Sequence, residues 1–320
     1  MIKKDLLEKF FGGEKHFTVI DGGSRNGAID LSFLNSYSKF YCFEPDEDSK
    51  DKDPQSINTS SDGLINWSKY ALCNHDGKTK INISRRANAS STIKPNIECL
   101  KHFPLDNWSE LSEIVKEVEV PCTRLKTFLS EHKIYNIDLL KLDTQGNELD
   151  IIKSLDEKIE NVSVIKTEVE MLPIYKDQSL YHDVSKHLYL NGFELVDFEI
   201  LEPCKRFHAR ADLPPSSYRL VWADAIFVRN PYNFKDPRAL QKAIILGSLG
   251  YSDLAIYIIK NIDYLDQKDF ILLEKFILSF KIPRTFKGKF RFFVEKYFGL
   301  IIKLYDWKKG KQVTSRKLER

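Results

Sequence analysis

Over the first two-thirds of the chain, short and nearly continuous apolar runs alternate with stretches of helical period. Thr18-Val19-Ile20 leads into a cluster of glycines, and the run at 39–43 ends at Glu44-Pro45. The run at 137–142 ends at Asp143, and the run at 162–167 ends in acids. Strands that are apolar on both faces belong in a parallel sheet covered by helices on each side. The intervening periodicity predicts helices over 27–35, 124–132, 147–155 and 179–191, the last stopped by Asn191-Gly192. The runs at 193–198 and at 218–222 through 225–228 predict closing strands, with Pro203 and Pro214-Pro215 punctuating the loop between them. Extra material lies between the second and fourth sheet strands. It comprises a polar surface insertion at 47–63, a hairpin arm at 78–83 after His75-Asp76-Gly77, and a short strand at 118–120.

Beyond Arg229-Asn230-Pro231 only helical patterns remain. They cover 240–245, a stretch from Ser252-Asp253 to Ile259 with those two residues as cap, 270–280 and 290–305. The pattern predicts two domains, 1–230 and 231–320. Charge divides the same way: 19 Lys or Arg against 9 Asp or Glu after 230, and 30 against 37 before it. From 281 onward 13 cations face 3 acids and alternate with aromatics such as Phe290, Tyr297 and Trp307. That stretch suits a helix lying on an anionic membrane surface, a nucleic-acid surface, or a terminal helix packed through its aromatics.

At 42% hydrophobic and 30% charged residues the composition excludes a disordered or fibrous chain. No apolar window reaches the length of a membrane-spanning helix, and the acids in Met1-Ile2-Lys3-Lys4-Asp5-Leu6-Leu7-Glu8 argue against a signal peptide. Five scattered cysteines without a C-x-x-C pair argue against a disulfide framework and a structural zinc site. They read as small buried side chains in a reducing cytosol. The expected location is cytoplasmic, peripheral at the inner face of the membrane if the basic segment docks there.

The strongest local signal is Val19-Ile20-Asp21-Gly22-Gly23-Ser24-Arg25-Asn26-Gly27. A strand ends in an acid, and glycines then let the backbone turn tightly and approach a ligand before a helix begins. The N–H groups at that helix start would face a negative group; a tight turn without a ligand would use the same glycines. Glu44 follows Asp21 by 23 residues, at the end of the next strand. A carboxylate there accepts hydrogen bonds from both hydroxyls of a ribose, unless it is simply a surface acid before a proline turn. Loop and acid together point to a nucleoside cofactor.

Asp143 is delivered by its strand to the carboxyl edge of the sheet, where ligands bind in open α/β folds. It is the candidate base or acceptor anchor. Glu148 either joins it or serves as a dipole partner of the following helix. Glu168 and Glu170 alternate onto one face and are expected to cluster with Asp143 as further catalytic residues. Three such carboxylates could also hold Mg²⁺ and acidify a substrate hydroxyl, although no dedicated ligand motif occurs. His182 is placed either at the pocket mouth or on the surface near a helix start. Asn88-Ala89-Ser90-Ser91 is either a contact to cofactor or acceptor, or a plain loop.

Taken together, these segments resemble the FkbM family of S-adenosylmethionine-dependent methyltransferases from about 18 to 228. The carriers are the glycine loop, Phe43-Glu44-Pro45, Tyr70-Ala71-Leu72 with Asp76-Gly77, and Arg124-Leu125-Lys126-Thr127-Phe128. Most specific is Ile137-Asp138-Leu139-Leu140-Lys141-Leu142-Asp143-Thr144-Gln145-Gly146-Asn147-Glu148-Leu149, and Ala223-Asp224-Ala225-Ile226-Phe227-Val228 closes the match. The resemblance implies an α/β fold, a Rossmann-like seven-stranded class I methyltransferase sheet with helices on both faces and one antiparallel strand. The all-helical extension follows it. It further implies S-adenosylmethionine bound at Asp21, Gly22, Gly23, Ser24, Asn26, Gly27, Glu44, Pro45, Ala71 and Asp143. The implied activity is O-methylation of a sugar, glycan or other small hydroxylated acceptor. Two other readings stand beside it. One is RNA 2′-O methylation using Asp143 and Lys166; the other is a non-catalytic, membrane-docking protein that keeps the cofactor fold.

Overall fold

The computed structural model describes residues 2–12, 17–25, 27–45, 64–102, 107–199, 206–207 and 219–280. Its strands are β1 (Phe17–Gly22), β2 (Ser38–Phe43), β3 (Leu64–Ser68), β4 (Ala71–Leu72), β5 (Gly77–Ser84), β6 (Ile114–Thr123), β7 (Ile137–Leu142), β8 (Val162–Glu170), β9 (Phe193–Glu199), β10 (Arg206–Phe207), β11 (Arg219–Leu220) and β12 (Trp222–Arg229). The helices are α1 (Ile2–Phe11), α2 (Ile97–Leu100), α3 (Trp108–Leu111), α4 (Leu125–Glu131), α5 (Glu148–Lys153), α6 (Tyr181–Leu190), α7 (Ala239–Ser248), α8 (Ser252–Lys260) and α9 (Gln267–Leu278).

Seven strands form one sheet in the order β3-β2-β1-β7-β8-β12-β9. Neighbours from β3 to β8 run parallel, and β12 runs antiparallel to both β8 and β9. This is the Rossmann-like sheet with a single reversed strand. Its apolar runs work by period two. Val19, Phe40, Leu139, Val164 and Ile226 point to one face, and their successors Ile20, Tyr41, Leu140, Ile165 and Phe227 point to the other. The first face is covered by α1 and α7–α9, the second by α4, α5 and α6. β4, β5 and β6 make a separate three-stranded sheet, so the strand expected at 118–120 is the middle of a ten-residue one.

The change of pattern at 230 marks the end of β12 rather than a break in packing. Leu240, Ile244, Ile258 and Leu273 share a core with Val19, Leu139 and Val164, and Met1–Phe280 forms one compact unit. An ion pair fastens the two layers: Arg238, just before α7, reaches the buried Asp138 on β7. The second oxygen of Asp138 accepts from Thr18 N at 2.8 Å. Burial pushes the Asp138 carboxyl up, and the Arg238 guanidinium opposes that shift.

Two expectations change and one element that was not foreseen appears. No α-helix spans 27–35; a 3₁₀ segment, Ser32–Tyr37, stands there instead. Asp30 accepts from Ser32 N and Asn35 Nδ2, and Asn35 accepts from Leu31 N. Such short polar side chains bind nearby backbone and compete with a regular helix. Second, the N-terminal residues form α1, which buries Leu6 and Leu7. Third, Ser252-Asp253 does not cap α8, whose cap position is Tyr251, whereas Asp266 caps α9 by accepting from Asp269 N at 2.8 Å. Among the described residues no helix is long and apolar enough to cross a membrane. Asn26, the 47–63 insertion, Pro203, Pro214-Pro215, the 290–305 pattern and the basic 281–320 stretch lie outside the described residues.

Candidate active site

The chain leaves β1 outward to β2 and β3 and later returns to β7 on the other side of β1. That reversal opens a crevice beyond the carboxyl ends of β1 and β7, the place where open α/β sheets bind ligands. Backbone bonds tie its rim together. Gly23 N and Ser24 N donate to Phe43 O at 3.1 and 3.2 Å, and Asp143 N donates to Gly22 O at 3.0 Å. These loop amides are already engaged, and no α-helix follows them. The anion-facing helix start expected from the sequence is therefore absent among the described residues, because the loop closes on β2 instead. Ser24 turns inward, its hydroxyl donating to Asp21 O at 2.8 Å.

Asp21 is fully buried. Its Oδ2 accepts from Ile29 N at 2.6 Å, and its Oδ1 lies 3.1 Å from Lys141 Nζ. Burial by itself would push the Lys141 ammonium down, but the carboxylates of Asp21 and Asp143 outweigh it and hold the ammonium above its ordinary range. Lys141 thus links the acids that end β1 and β7, with Asp143 Oδ2 4.0 Å from its nitrogen. Sequence reasoning assigned it no role.

Asp143 sits at the centre of an acidic group. The side-chain amide of Gln145 donates to Asp143 Oδ1 at 2.7 Å and to Glu168 Oε2 at 2.9 Å, while its carbonyl accepts from Tyr175 Oη at 2.8 Å. Gln145 holds this position with φ of 63°, a left-handed conformation uncommon outside glycine. Burial first, then repulsion from neighbouring carboxylates, pushes Glu168 and Glu170 well above the usual carboxylate range. Glu168 and Glu170 do share this region, as their alternation predicts. The Mg²⁺ reading does not fit it: the Gln145 NH₂ group stands between Asp143 and Glu168, where a cation would have to be.

Glu148 serves the turn. Its carboxylate accepts from Thr144 N at 2.7 Å, Thr144 Oγ1 at 3.0 Å and Gly146 N at 2.9 Å. Burial raises it to about 7 despite those donors, with Asp143 adding repulsion. A native carboxyl raised in this way binds its proton more tightly than the unfolded chain does. Its contribution to stability is complete below the ordinary carboxylate range and is lost as pH rises through 7. Glu148→Gln removes that titration and sets an NH₂ against a backbone donor. The variant's melting temperature is expected below wild type at pH ~5, with the gap narrowing towards pH ~8. A gap that stays constant in calorimetry across that range counts against this account.

A cavity of about 440 Å³ runs along this group. Its lining includes Gly23, Glu44, Pro45, Ala71, Asp143 and Glu168. Two indoles belong to the same lining: Trp108 and Trp222 meet edge to face with centroids 5.1 Å apart, and Arg86 lies 5.1 Å over the Trp108 ring. Asn88, Ala89, Ser90 and Ser91 line it too, and Ser91 Oγ donates to Gln145 O at 2.7 Å. A smaller cavity of about 280 Å³ touches Asp21, Gly23, Gly27, Lys141, Asp143 and Lys166. The structure does not bring Gly22, Ser24 or Glu170 to either cavity. Among the described residues His182 is likewise remote, with its side chain 74% exposed beside Asp183. Lys166 is paired with Glu199 at 2.6 Å. Trp108, Trp222, Arg86 and Tyr175 went unforeseen, since each comes from a different segment and no spacing joins them.

No curated protein sequence matches the chain significantly. Among solved structures, an rRNA methylase from Streptococcus thermophilus aligns with 71% of this chain and 94% of its own length, at 9% identity and a TM-score of 0.28. A TehB-like SAM-dependent methyltransferase from Corynebacterium glutamicum aligns with 71% of this chain and 87% of its own, at 9% identity and a TM-score of 0.27. These alignments add nothing to what the sheet order already establishes. The family model of the methyltransferase FkbM domain matches residues 21–195, more than half of the chain. The chain belongs to the FkbM family and is an S-adenosylmethionine-dependent methyltransferase.

Proposed function

We propose that this enzyme O-methylates a sugar, a glycan or another small hydroxylated compound. The observation that carries the reading is the cavity of about 440 Å³, whose lining combines Gly23 and Glu44, the carboxylates of Asp143 and Glu168, and the indoles of Trp108 and Trp222. Rings bearing hydroxyls fit such a lining by stacking on indole faces while carboxylates and amides take their polar edges. The residues present suit S-adenosylmethionine. Gly23 and Glu44 both line the cavity, and a carboxylate such as that of Glu44 can accept from the two hydroxyls of a ribose.

When bound, S-adenosylmethionine supplies a methyl group on a positively charged sulfur; the oxygen–carbon bond forms as the carbon–sulfur bond breaks, and sulfur keeps the electron pair. Asp143 takes the proton from the attacking hydroxyl. Gln145 holds the Asp143 carboxylate in position, and the indole pair places the acceptor ring and excludes water. Alignment of this kind accounts for ~7–11 kcal/mol of a barrier. Tritiated methyl from S-adenosylmethionine is expected to enter a hydroxylated small molecule or glycan in fractionated cell extract. Glu44→Ala is expected to weaken cofactor binding about 10–100-fold in calorimetry, the loss of one or two hydrogen bonds to a charged group. Label recovered only in RNA would favour the nucleic-acid reading. Cofactor binding without any labelled product would favour a protein that keeps the fold without turnover.

A further inference from the structure

The geometry points to a zinc site at Cys73, His75 and Cys122, outside the active-site cavity and independent of the methyl acceptor. Its origin is the strand register. Cys122 near the end of β6 stands opposite Ala71 on β4, in parallel pairing, and opposite Gly77 on β5, in antiparallel pairing. The four residues that connect those strands must arch over Cys122. Cys73 and His75 are two apart in that arch, and their ligand atoms and the Cys122 sulfur all lie within 4.8 Å of one another. Among the described residues no other such trio of His, Cys, Asp or Glu occurs.

One edge of the trio already has zinc dimensions. Bonds of ~2.3 Å to sulfur and ~2.0–2.1 Å to nitrogen at a tetrahedral angle put the two ligand atoms roughly 3.6 Å apart. Cys122 Sγ and His75 Nε2 are 3.5 Å apart. The surroundings are those of a ligating histidine. His75 Nδ1 lies 3.0 Å from Asn74 Oδ1, and Asn74 in turn donates through Nδ2 to Asp150 Oδ2 at 3.2 Å. That donation turns the Asn74 oxygen towards the ring, and a proton on Nδ1 bonded to it would leave the lone pair on Nε2. Nε2 also lies 3.2 Å from a second acceptor, Lys78 O. Without a cation, a neutral ring faces two acceptors with one proton. The Thr79 side chain hydrogen-bonds the Cys73 sulfur. Partners of this kind orient metal ligands and tune them.

Two thiolates, one neutral imidazole and Zn²⁺ sum to zero charge, which suits a place where both cysteines are buried. Binding sends the two thiol protons to solvent, and the exposed His75 side leaves the fourth position to water. Soft sulfur ligands select zinc over magnesium or calcium. The clip would hold the arch to β6 and so brace β4, whose Ala71 and Leu72 line the active-site cavity. The sequence argued against zinc because it shows no C-x-x-C pair; the third ligand stands 47 residues beyond His75.

The test uses the full chain purified without a polyhistidine tag. Elemental analysis is expected to find about one zinc per chain in wild type and in Cys99→Ser, and its loss in Cys73→Ser and Cys122→Ser. Asn74→Ala should weaken zinc binding about 10–100-fold while keeping the stoichiometry. If the cysteine variants fail to fold, wild type decides alone: chelator-stripped protein given Co²⁺ should develop a thiolate-to-cobalt charge-transfer absorption. Zinc-free wild type with no such absorption overturns the proposal, as does a Cys73–Cys122 disulfide found by mass spectrometry in protein isolated under reducing conditions.

Discussion

Replacing Asp143 by asparagine is expected to lower kcat by about 10²–10⁴ while leaving the affinity for S-adenosylmethionine nearly unchanged. Among the clustered carboxylates Asp143 is the open one. Its side chain is 42% exposed, whereas Glu168 and Glu170 are buried, and burial with repulsion from neighbouring carboxylates holds their carboxyls well above the usual carboxylate range. Asparagine is nearly the same shape and its oxygen can still accept from Gln145, so the local geometry survives. What it cannot do is receive a proton from an attacking hydroxyl. Single-turnover rates with saturating cofactor measure the effect directly. Turnover at the wild-type rate, with cofactor bound, would remove Asp143 from the chemistry and leave it as an anchor at most.

The second large effect belongs to Gly23→Ala. Gly23 has a φ of +81°, and a Cβ added there would lie 1.9 Å from Asp143 O and 2.8 Å from Asp143 C. No rotamer relieves a clash between two backbones, so the ends of β1 and β7 must part. The left-handed conformation alone costs an alanine about 1–2 kcal/mol, and separating the strand ends adds to it. A total of ~3 kcal/mol or more would lower the melting temperature by roughly 4–5 °C or more in a chain of this size. Cofactor affinity should fall together with it, because the same shift moves the Asp143 loop. Melting and calorimetric binding both at wild-type values would mean that the two strand ends are not packed as described.

The sheet was legible because most of its strands are apolar on both faces: the runs at 137–142, 162–167, 193–198 and 225–228 land in it, whereas Arg219–Leu220 pairs with β10 in a separate two-stranded sheet. Asp143 and Glu44 were legible for the same reason, since a strand that ends in an acid puts that acid at the carboxyl edge. β3 was harder to see. It is an edge strand with Asn66, Trp67 and Ser68 in five residues, and Trp67 is 43% exposed, so the burial that writes a pattern is missing. The helix expected at 27–35 failed for a local reason, the competition of Asp30, Ser32 and Asn35 for backbone groups. Long-range convergence was the main thing hidden. Gln145 carried no signal beyond its motif until Tyr175 and Glu168 were found against it, and Trp108 meets Trp222 across more than a hundred residues of chain. Cys73, His75 and Cys122 escaped notice in the same way, because a strand register brought them together rather than a spacing.

The strand β7 carries an acid at each end, Asp143 above and Asp138 below, and the lower one constrains how this protein can be cut. A fragment stopped where the composition changes would keep every residue of the active-site cavity yet discard Arg238, stranding a buried carboxylate at the base of the central strand. It would also strip α7–α9 from one face of the sheet, leaving α1 and the 28–34 segment to cover what those helices bury around Val19 and Val164. Laboratory versions of the enzyme therefore have to retain the helical layer, and natural relatives lacking it would need an apolar residue in place of Asp138 or a different cation to meet it.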